Sequence, residues 1–209
     1  LGHAHPHLVK MVQEQAAKLW HVSNLYHIPE QQRLADRLCE NSFANTVFFC
    51  NSGAEAMEGA LKVARKYHFA NGEPKRERVI ACSRAFHGRT LATLSAGDSD
   101  KYREGFGPRP GGFEHVPFGN LNDLRAAMGD DVAAIVIEPV QGEGGIRPVP
   151  DADLKQMRAL CETHGLLLIF DEVQCGVGRT GKMFACETYD IQPDVLVLSK
   201  QITSSYQPL

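Results

Sequence analysis

The chain of 209 residues has no CxxC pair among its six cysteines, no internal repeat and no low-complexity tract. It also lacks a block of basic residues and any apolar run of the roughly 20 residues that a membrane-spanning helix needs. Each absence closes off a class of function. The 22 Lys and Arg against 25 Asp and Glu leave a net charge of -3 with no basic cluster, so nucleic acid is not an expected partner. A membrane partner is not expected either, and no signal-peptide pattern is visible within these residues. The spacings of Cys39, Cys50, Cys82, Cys161, Cys175 and Cys186 suit no disulfide framework and point to a reducing, cytoplasmic setting. What remains, 43% hydrophobic and 22% charged, is ordinary for a soluble domain long enough to bury a sizeable core.

Apolar periodicity divides the chain. Val9, Val12, Ala16 and Leu19 give helical spacing to residues 8–20, and Leu34 and Leu38 do the same for 29–40. Thr46–Cys50 and Arg78–Ser83 read as strands, with a helix from Ala54 to about Ala70 between them, ended by Asn71-Gly72. Residues 84–112 read mostly as loop with short helical turns, 113–116 as a short strand and 121–128 as a short helix. Val132–Glu138, Leu166–Asp171 and Asp194–Lys200 are continuous apolar runs, each closed by a charged residue, with a loop at 141–145 and a helix at Asp151–His164 between the first two. Such runs are strands buried on both faces, and their alternation with helices predicts an α/β fold with a mostly parallel sheet.

In open α/β sheets, ligands bind beyond the carboxyl ends of the strands. Asp171 and Lys200 fall there, so an acid and an amine can face one ligand from two sides. Pyridoxal phosphate needs both, a lysine for its aldehyde and an acid for its ring nitrogen. Gln174 can donate to the ring's phenolic oxygen. In Asn51-Ser52-Gly53-Ala54-Glu55, Ser52 and Glu55 have the spacing of a capping box, and the amides of Gly53 and Ala54 at the helix start form an anion site; the plainer reading is a cap that only starts a helix. Phe86-His87-Gly88-Arg89 follows another strand. Phe86 can stack on a flat ring and Arg89 can fork onto a carboxylate, while His87 is open between a structural and a catalytic part. In Glu138-Pro-Val-Gln-Gly-Glu143-Gly-Gly145, either glutamate can hold or shield a cation such as an arginine, or the loop is a solvated acidic one. Two patterns read as decoys. His3, His5 and His7 alternate without a closed coordination shell, so no metal is expected, and Gly176–Gly181 lacks the lysine of a phosphate loop.

Together these stretches resemble the class III, pyridoxal-phosphate-dependent aminotransferases of fold type I. The resemblance rests on Leu-Gly-His-Ala-His-Pro at 1–6, Asn-Ser-Gly-Ala-Glu-Ala at 51–56, Ala-Phe-His-Gly-Arg-Thr at 85–90, Glu-Pro-Val-Gln-Gly-Glu-Gly-Gly at 138–145 and Phe-Asp-Glu-Val-Gln-Cys-Gly-Val-Gly-Arg-Thr-Gly at 170–181. Each is modest alone; their order and spacing are specific. The resemblance implies a three-layer large domain in which Ser52, Gly53 and Ala54 hold the cofactor phosphate and Phe86 stacks on its ring. It further implies that Asp171 pairs with the ring nitrogen, Gln174 reaches the ring oxygen and Lys200 is the Schiff-base lysine. Arg89 would bind the distal carboxylate of glutamate or 2-oxoglutarate, and Glu143 would mask a second, α-carboxylate-binding arginine. The implied reaction is a ping-pong transfer of an ω-amino group from acetylornithine to 2-oxoglutarate by a homodimer. Succinylornithine, ornithine and 4-aminobutyrate are the alternative donors.

The sequence also departs from the family pattern. Met57 stands where asparagine is expected, and Gln201–Leu209 replaces a glycine-rich stretch. The expectation is therefore a truncated cofactor-binding domain over 1–209: a helical lead-in at 1–44, the sheet and site at 45–200, and an atypical tail at 201–209. The later threonine, the α-carboxylate arginine and the C-terminal small domain are missing from these residues. A catalytically inert fragment is the alternative to an active enzyme.

Overall fold

A computed structural model describes residues 2–204 and 206; Leu1, Ser205 and Gln207–Leu209, part of the expected tail, lie outside the described residues. Five strands form one parallel sheet: β1 (Arg78–Cys82), β2 (Phe113–Val116), β3 (Val132–Ile137), β6 (Leu167–Asp171) and β7 (Val195–Val197), in the spatial order β2-β1-β3-β6-β7. The central register sets Ile80 beside Ile135 and Ile135 beside Leu168, and Phe170 beside Leu196 nearer the edge. A two-stranded antiparallel hairpin, β4 (Val140–Gln141) with β5 (Arg147–Pro148), stands apart.

Side chains alternate across the pleat, so each strand feeds two cores. Ile80, Ile135, Ile137, Leu168 and Phe170 face α6 (Leu121–Ala127) and α7 (Asp151–His164), where Leu124, Leu154, Met157 and Cys161 meet them. Val79, Ala134, Val136, Ile169 and Val197 face α3 (Gly53–Ala70) and pack on Met57, Ala60, Leu61 and Ala64. Half of these helix residues are alanine, which lets α3 lie close to the sheet. Met57, where asparagine was expected, is fully buried in this layer. The result is the expected three-layer α/β fold. Three short helices complete it: α4 (Leu91–Ala96), α5 (Asp100–Arg103) and α8 (Ala185–Tyr189), together with the lead-in helices α1 (Pro6–Ala16) and α2 (Pro29–Glu40).

Several elements differ from the sequence reading. Helix α7 has the expected bounds and ends on Gly165, whose φ of 66° admits the left-handed cap. Helix α1 begins at its proline and stops at Ala16, short of Leu19; of the expected apolar stripe Val9 and Ala16 are half-buried, while Val12 and Leu19 are exposed. Thr46–Cys50 forms no strand. A strand exists only beside a partner, and this segment instead lines an apolar groove of about 620 Å³ shared with β7, the edge strand. The run Asp194–Lys200 narrows to three strand residues. Asp194 leaves it because its carboxylate accepts from the Leu168 amide at 2.7 Å and from Arg158 at 2.7 Å. Lys200 leaves it by opening a 3₁₀ turn, Lys200–Ile202, with φ of 28°. The hairpin β4–β5 and helix α8 carried no signal in the periodicity.

Candidate active site

Strand β6 ends on Asp171, β3 stops one residue before Glu138, and β7 leads through Ser199 into Lys200, so three chain crossings deliver polar groups to one rim of the sheet. Helix α3 begins at that rim. Ser52 caps it, its Oγ accepting from the Glu55 amide at 3.2 Å. The reciprocal arm of the expected capping box falls one residue earlier than expected, since the Glu55 carboxylate accepts from the Asn51 amide at 2.7 Å. With Ala56 donating to the Ser52 carbonyl at 2.9 Å, the amides of Gly53 and Ala54 are those left at the helix start.

The cleft at this rim holds about 470 Å³, within the size range of small-molecule sites. Ser52, Gly53, Ala54, Phe86, Arg89, Asp171, Gln174 and Lys200 all line it. Eight of the nine residues to which the resemblance assigns a role are therefore brought together, and His87, left open from the sequence, lines the cleft with them. The ninth, Glu143, is exposed on the loop after β4 and is not part of the lining. That loop still bears on the site, because Gly142 packs against the Gln174 amide, which a side chain at this position would displace.

The electrostatic centre is buried. Asp171 is 4% exposed, and its Oδ2 lies 2.7 Å from His87 Nδ1 while Oδ1 accepts from the Val173 amide at 3.1 Å. Burial opposes a charge on His87, yet its pKa is raised overall by the Asp171 hydrogen bond and by the negative charges of Asp171 and Glu138. Glu138, 2% exposed, is pushed up to about 7 chiefly by desolvation; the His87 charge pulls it down, Asp171 pushes it up further, and the amides of Phe86 and Gly142 pull it down. The Glu138 carboxylate accepts from the Phe86 amide at 2.9 Å, which fixes the backbone that carries Phe86, His87 and Gly88. Arg89 extends its guanidinium over the Phe86 ring, 5.5 Å from the centroid.

Residues not singled out from the sequence complete the lining: Asn51, Val173, Ser199 and Thr203. Val173 and Ser199 close on Gly53, where an added Cβ would meet them at 3.1 and 3.2 Å. Gly88 has φ of 131° and presses on Ala54, in the first turn of α3 beside it. In the amide orientation that satisfies its neighbours, Gln201 donates to the Val173 carbonyl at 3.2 Å and accepts from Arg179 at 2.9 Å, which ties down the turn carrying Lys200.

The pattern of the family described as aminotransferase class-III matches residues 1–208. The chain belongs to the class-III aminotransferases. Among curated relatives, an acetylornithine aminotransferase of Mesorhizobium japonicum is 59% identical over 206 residues, covering 99% of this chain and 52% of the relative. One from Agrobacterium fabrum is 56% identical with the same coverage. Among solved structures, the ornithine aminotransferase of Toxoplasma gondii ME49 superposes with a TM-score of 0.93 at 33% identity, over 99% of this chain and 50% of that one. The N-acetylornithine aminotransferase of Stenotrophomonas maltophilia K279a gives 0.83 at 40%, over 99% and 52%. The chain thus spans about half the length of the relatives it matches. Class-III aminotransferases are pyridoxal-phosphate enzymes, and the cleft suits that group: free helix amides for an anion, an aromatic face, a buried acid and a lysine share one lining.

Proposed function

We propose that residues 1–209 form the cofactor-binding domain of an aminotransferase that moves the ω-amino group of N-acetylornithine to 2-oxoglutarate with pyridoxal 5′-phosphate, by a ping-pong mechanism. The observation that carries the reading is the meeting of Asp171, Lys200, Phe86 and the start of α3 around one cleft. The donor is chosen from the acetylornithine aminotransferases at 59% and 56% identity. Exposed Trp20, Leu25, Tyr26 and Phe48 support a covered surface in a homodimer of the intact protein. Six free cysteines support a cytoplasmic setting.

The roles follow from chemistry. Ser52 Oγ and the amides of Gly53 and Ala54 hold the phosphate at the positive end of α3. Phe86 would lie against one face of the ring, Asp171 would keep the ring nitrogen protonated, and Gln174 would donate to the ring oxygen. When bound, the cofactor supplies an electron sink for the charge that develops on the amine-bearing carbon of the substrate. Lys200 would hold the cofactor through its Nζ, and the same amine, once free, would serve as the base and acid that moves the proton of the amine-bearing carbon. Arg89 pairs with the distal carboxylate of glutamate or 2-oxoglutarate, and Glu143 masks an arginine supplied outside these residues.

Absorbance tests the reading. Purified protein given pyridoxal phosphate should turn yellow, and Lys200→Ala should not. A protein that stays colourless with cofactor present would leave only an inert fragment. With 2-oxoglutarate as acceptor, the full-length protein should form glutamate fastest from acetylornithine; a faster rate from succinylornithine, ornithine or 4-aminobutyrate would replace the donor.

A further inference from the structure

The glycine loop Gly176–Gly181 has no part in the roles above, yet it is moored at its base and meets the lysine turn at its tip. Glu172, 1% exposed, holds both ends of the wider loop, residues 173–184. Its carboxylate accepts from the amides of Ala185 and Cys186 at 2.7 and 2.8 Å, and its carbonyl accepts from the Gly176 amide at 2.8 Å. Gly176 lies so close that an added Cβ would stand 2.8 Å from that carbonyl oxygen. Inside the loop, the Gly178 amide donates to the Met183 carbonyl at 3.0 Å and the Gly181 amide to the Gly178 carbonyl at 3.2 Å. Arg179 is left at the tip. Its Nη2 donates to the Gln201 side-chain oxygen at 2.9 Å, in the amide orientation that satisfies both neighbours of Gln201. The Gln201 side-chain nitrogen donates to the carbonyl of Val173, the first residue of the same loop, at 3.2 Å.

Lys200 stands one residue before Gln201, with φ of 28°. A residue with a Cβ keeps such a left-handed conformation only where its surroundings hold it. The bond within the turn, from the Ile202 amide to the Ser199 carbonyl at 3.1 Å, spans Lys200; the Gln201 side chain ties that turn to a second, moored element. We infer that Arg179 and Gln201 are positioning residues for Lys200: their hydrogen bond clasps the glycine loop to the turn after β7, holds the Lys200 backbone in its left-handed conformation and so keeps the amine at the cleft. This rests on the proposed part of Lys200 in holding the cofactor. Attachment needs the amine beside an aldehyde whose phosphate is fixed at the start of α3, and such placement raises the effective concentration of the amine. Arg179 is exposed and its partner is a neutral amide, so the gain is that of one ordinary hydrogen bond, not of a buried ion pair. Neither Arg179 nor Gln201 lines the cleft, so any effect of either on Lys200 must pass through the turn.

Two aldehydes separate positioning from plain support of the fold. Pyridoxal phosphate carries the anion that α3 is proposed to hold, and formaldehyde carries none. With either one, the Lys200 amine adds to the aldehyde carbon, water leaves, and added borohydride reduces the C=N bond to a stable amine. Peptide mass spectrometry then gives the rate at Lys200, and the ratio of the two rates reports placement rather than the reactivity of the amine. Arg179→Ala should lower that ratio by about 2- to 10-fold, the loss expected for one hydrogen bond. Gln201→Ala should do the same, the double variant should lose no more than the larger single loss, and Arg179→Lys should recover part. An unchanged ratio in Arg179→Ala would overturn the inference, even if its urea midpoint fell, because the clasp would then support the fold alone. Losses that multiply in the double variant would overturn it as well. If pyridoxal phosphate joins Lys200 of the parent no faster than the other lysines, the proposed function falls. The clasp is then judged by urea denaturation without cofactor: losses of midpoint that do not add uphold it, and additive losses overturn it.

Discussion

Replacing Gly88 by alanine tests how tightly the cleft is built. A Cβ at this position would lie 2.8 Å from Ala54 Cβ, 2.9 Å from Thr93 Oγ1 and 3.1 Å from Ala54 Cα, against the roughly 3.5–4.0 Å that carbon atoms prefer. Neither neighbour can swing away. Ala54 is part of the first turn of α3, and Thr93 is fully buried, its Oγ1 engaged with the Thr90 amide and hydroxyl at 3.0 and 2.9 Å. Two costs add. The φ of 131° is a conformation that side chains other than glycine avoid, at about 1–3 kcal/mol. Overpacking adds about 1–3 kcal/mol, and the smaller entropy of the unfolded alanine chain returns about 0.4–1 kcal/mol. The expected net loss is about 1–6 kcal/mol, or a fall in Tm of roughly 2–24 °C for a chain of this size.

Urea denaturation of the two proteins measures the loss directly. Gly72→Ala is the internal control: Gly72 has φ of 82°, yet nothing lies within 4 Å of its added Cβ, so it carries backbone strain without crowding. Gly88→Ala should therefore cost about 1–3 kcal/mol more than Gly72→Ala. Equal costs for the two would refute the claim that Gly88 is held by contact with α3. Because the contact displaces the residue whose amide opens the helix, Gly88→Ala should also weaken pyridoxal phosphate binding, which Gly72→Ala should leave alone.

Glu138 makes stability depend on pH. Its pKa in the folded chain, about 7, lies above the ordinary value of 4.5, so the folded state keeps this proton longer than the unfolded one. That contribution is fully present below about 4.5 and is lost as pH rises to about 7, by up to about 3 kcal/mol. His87, also raised, loses its contribution in the same direction, above its ordinary 6.5. Glu138→Gln should therefore flatten, without abolishing, the decline in urea midpoint across this range; an unchanged slope would mean that Glu138 is ionised throughout. Ser52→Ala removes the side chain that accepts from the Glu55 amide and should cost about 1 kcal/mol by the same denaturation assay. Phosphate competition against cofactor binding should weaken in that variant as well.

The sheet was legible where a strand is buried on both faces by its own chain. Arg78–Ser83, Val132–Glu138 and Leu166–Asp171 are continuous apolar runs because helices cover them above and below, and they end within a residue or two of the expected places. Thr46–Cys50 has the same composition and forms no strand, because composition reports how apolar a segment is and says nothing of which neighbour it pairs with. The same limit explains the ends of β7. Asp194 and Lys200 flank an apolar run, but a carboxylate bound to Arg158 and the Leu168 amide, and a turn at positive φ, shorten it from both sides.

The site divides along the same line. Asp171, Lys200 and Phe86 could be placed because each stands at or soon after the end of a strand, at the rim where ligands bind, and Ser52–Ala54 through their capping pattern at the start of α3. His87 could be seen but not assigned, since its meaning lies in a partner 84 residues away that no local pattern encodes. Glu138 stood undecided between site and surface for a related reason. Its position matches that of Asp171, and only burial separates a strand-end carboxylate that meets solvent from one held at 2% exposure behind a histidine. Glu143, five residues later in the same motif, lies outside the cleft. On the proposed reading the groups for phosphate, ring and acid all come from this chain, so cofactor binding can be tested on it directly.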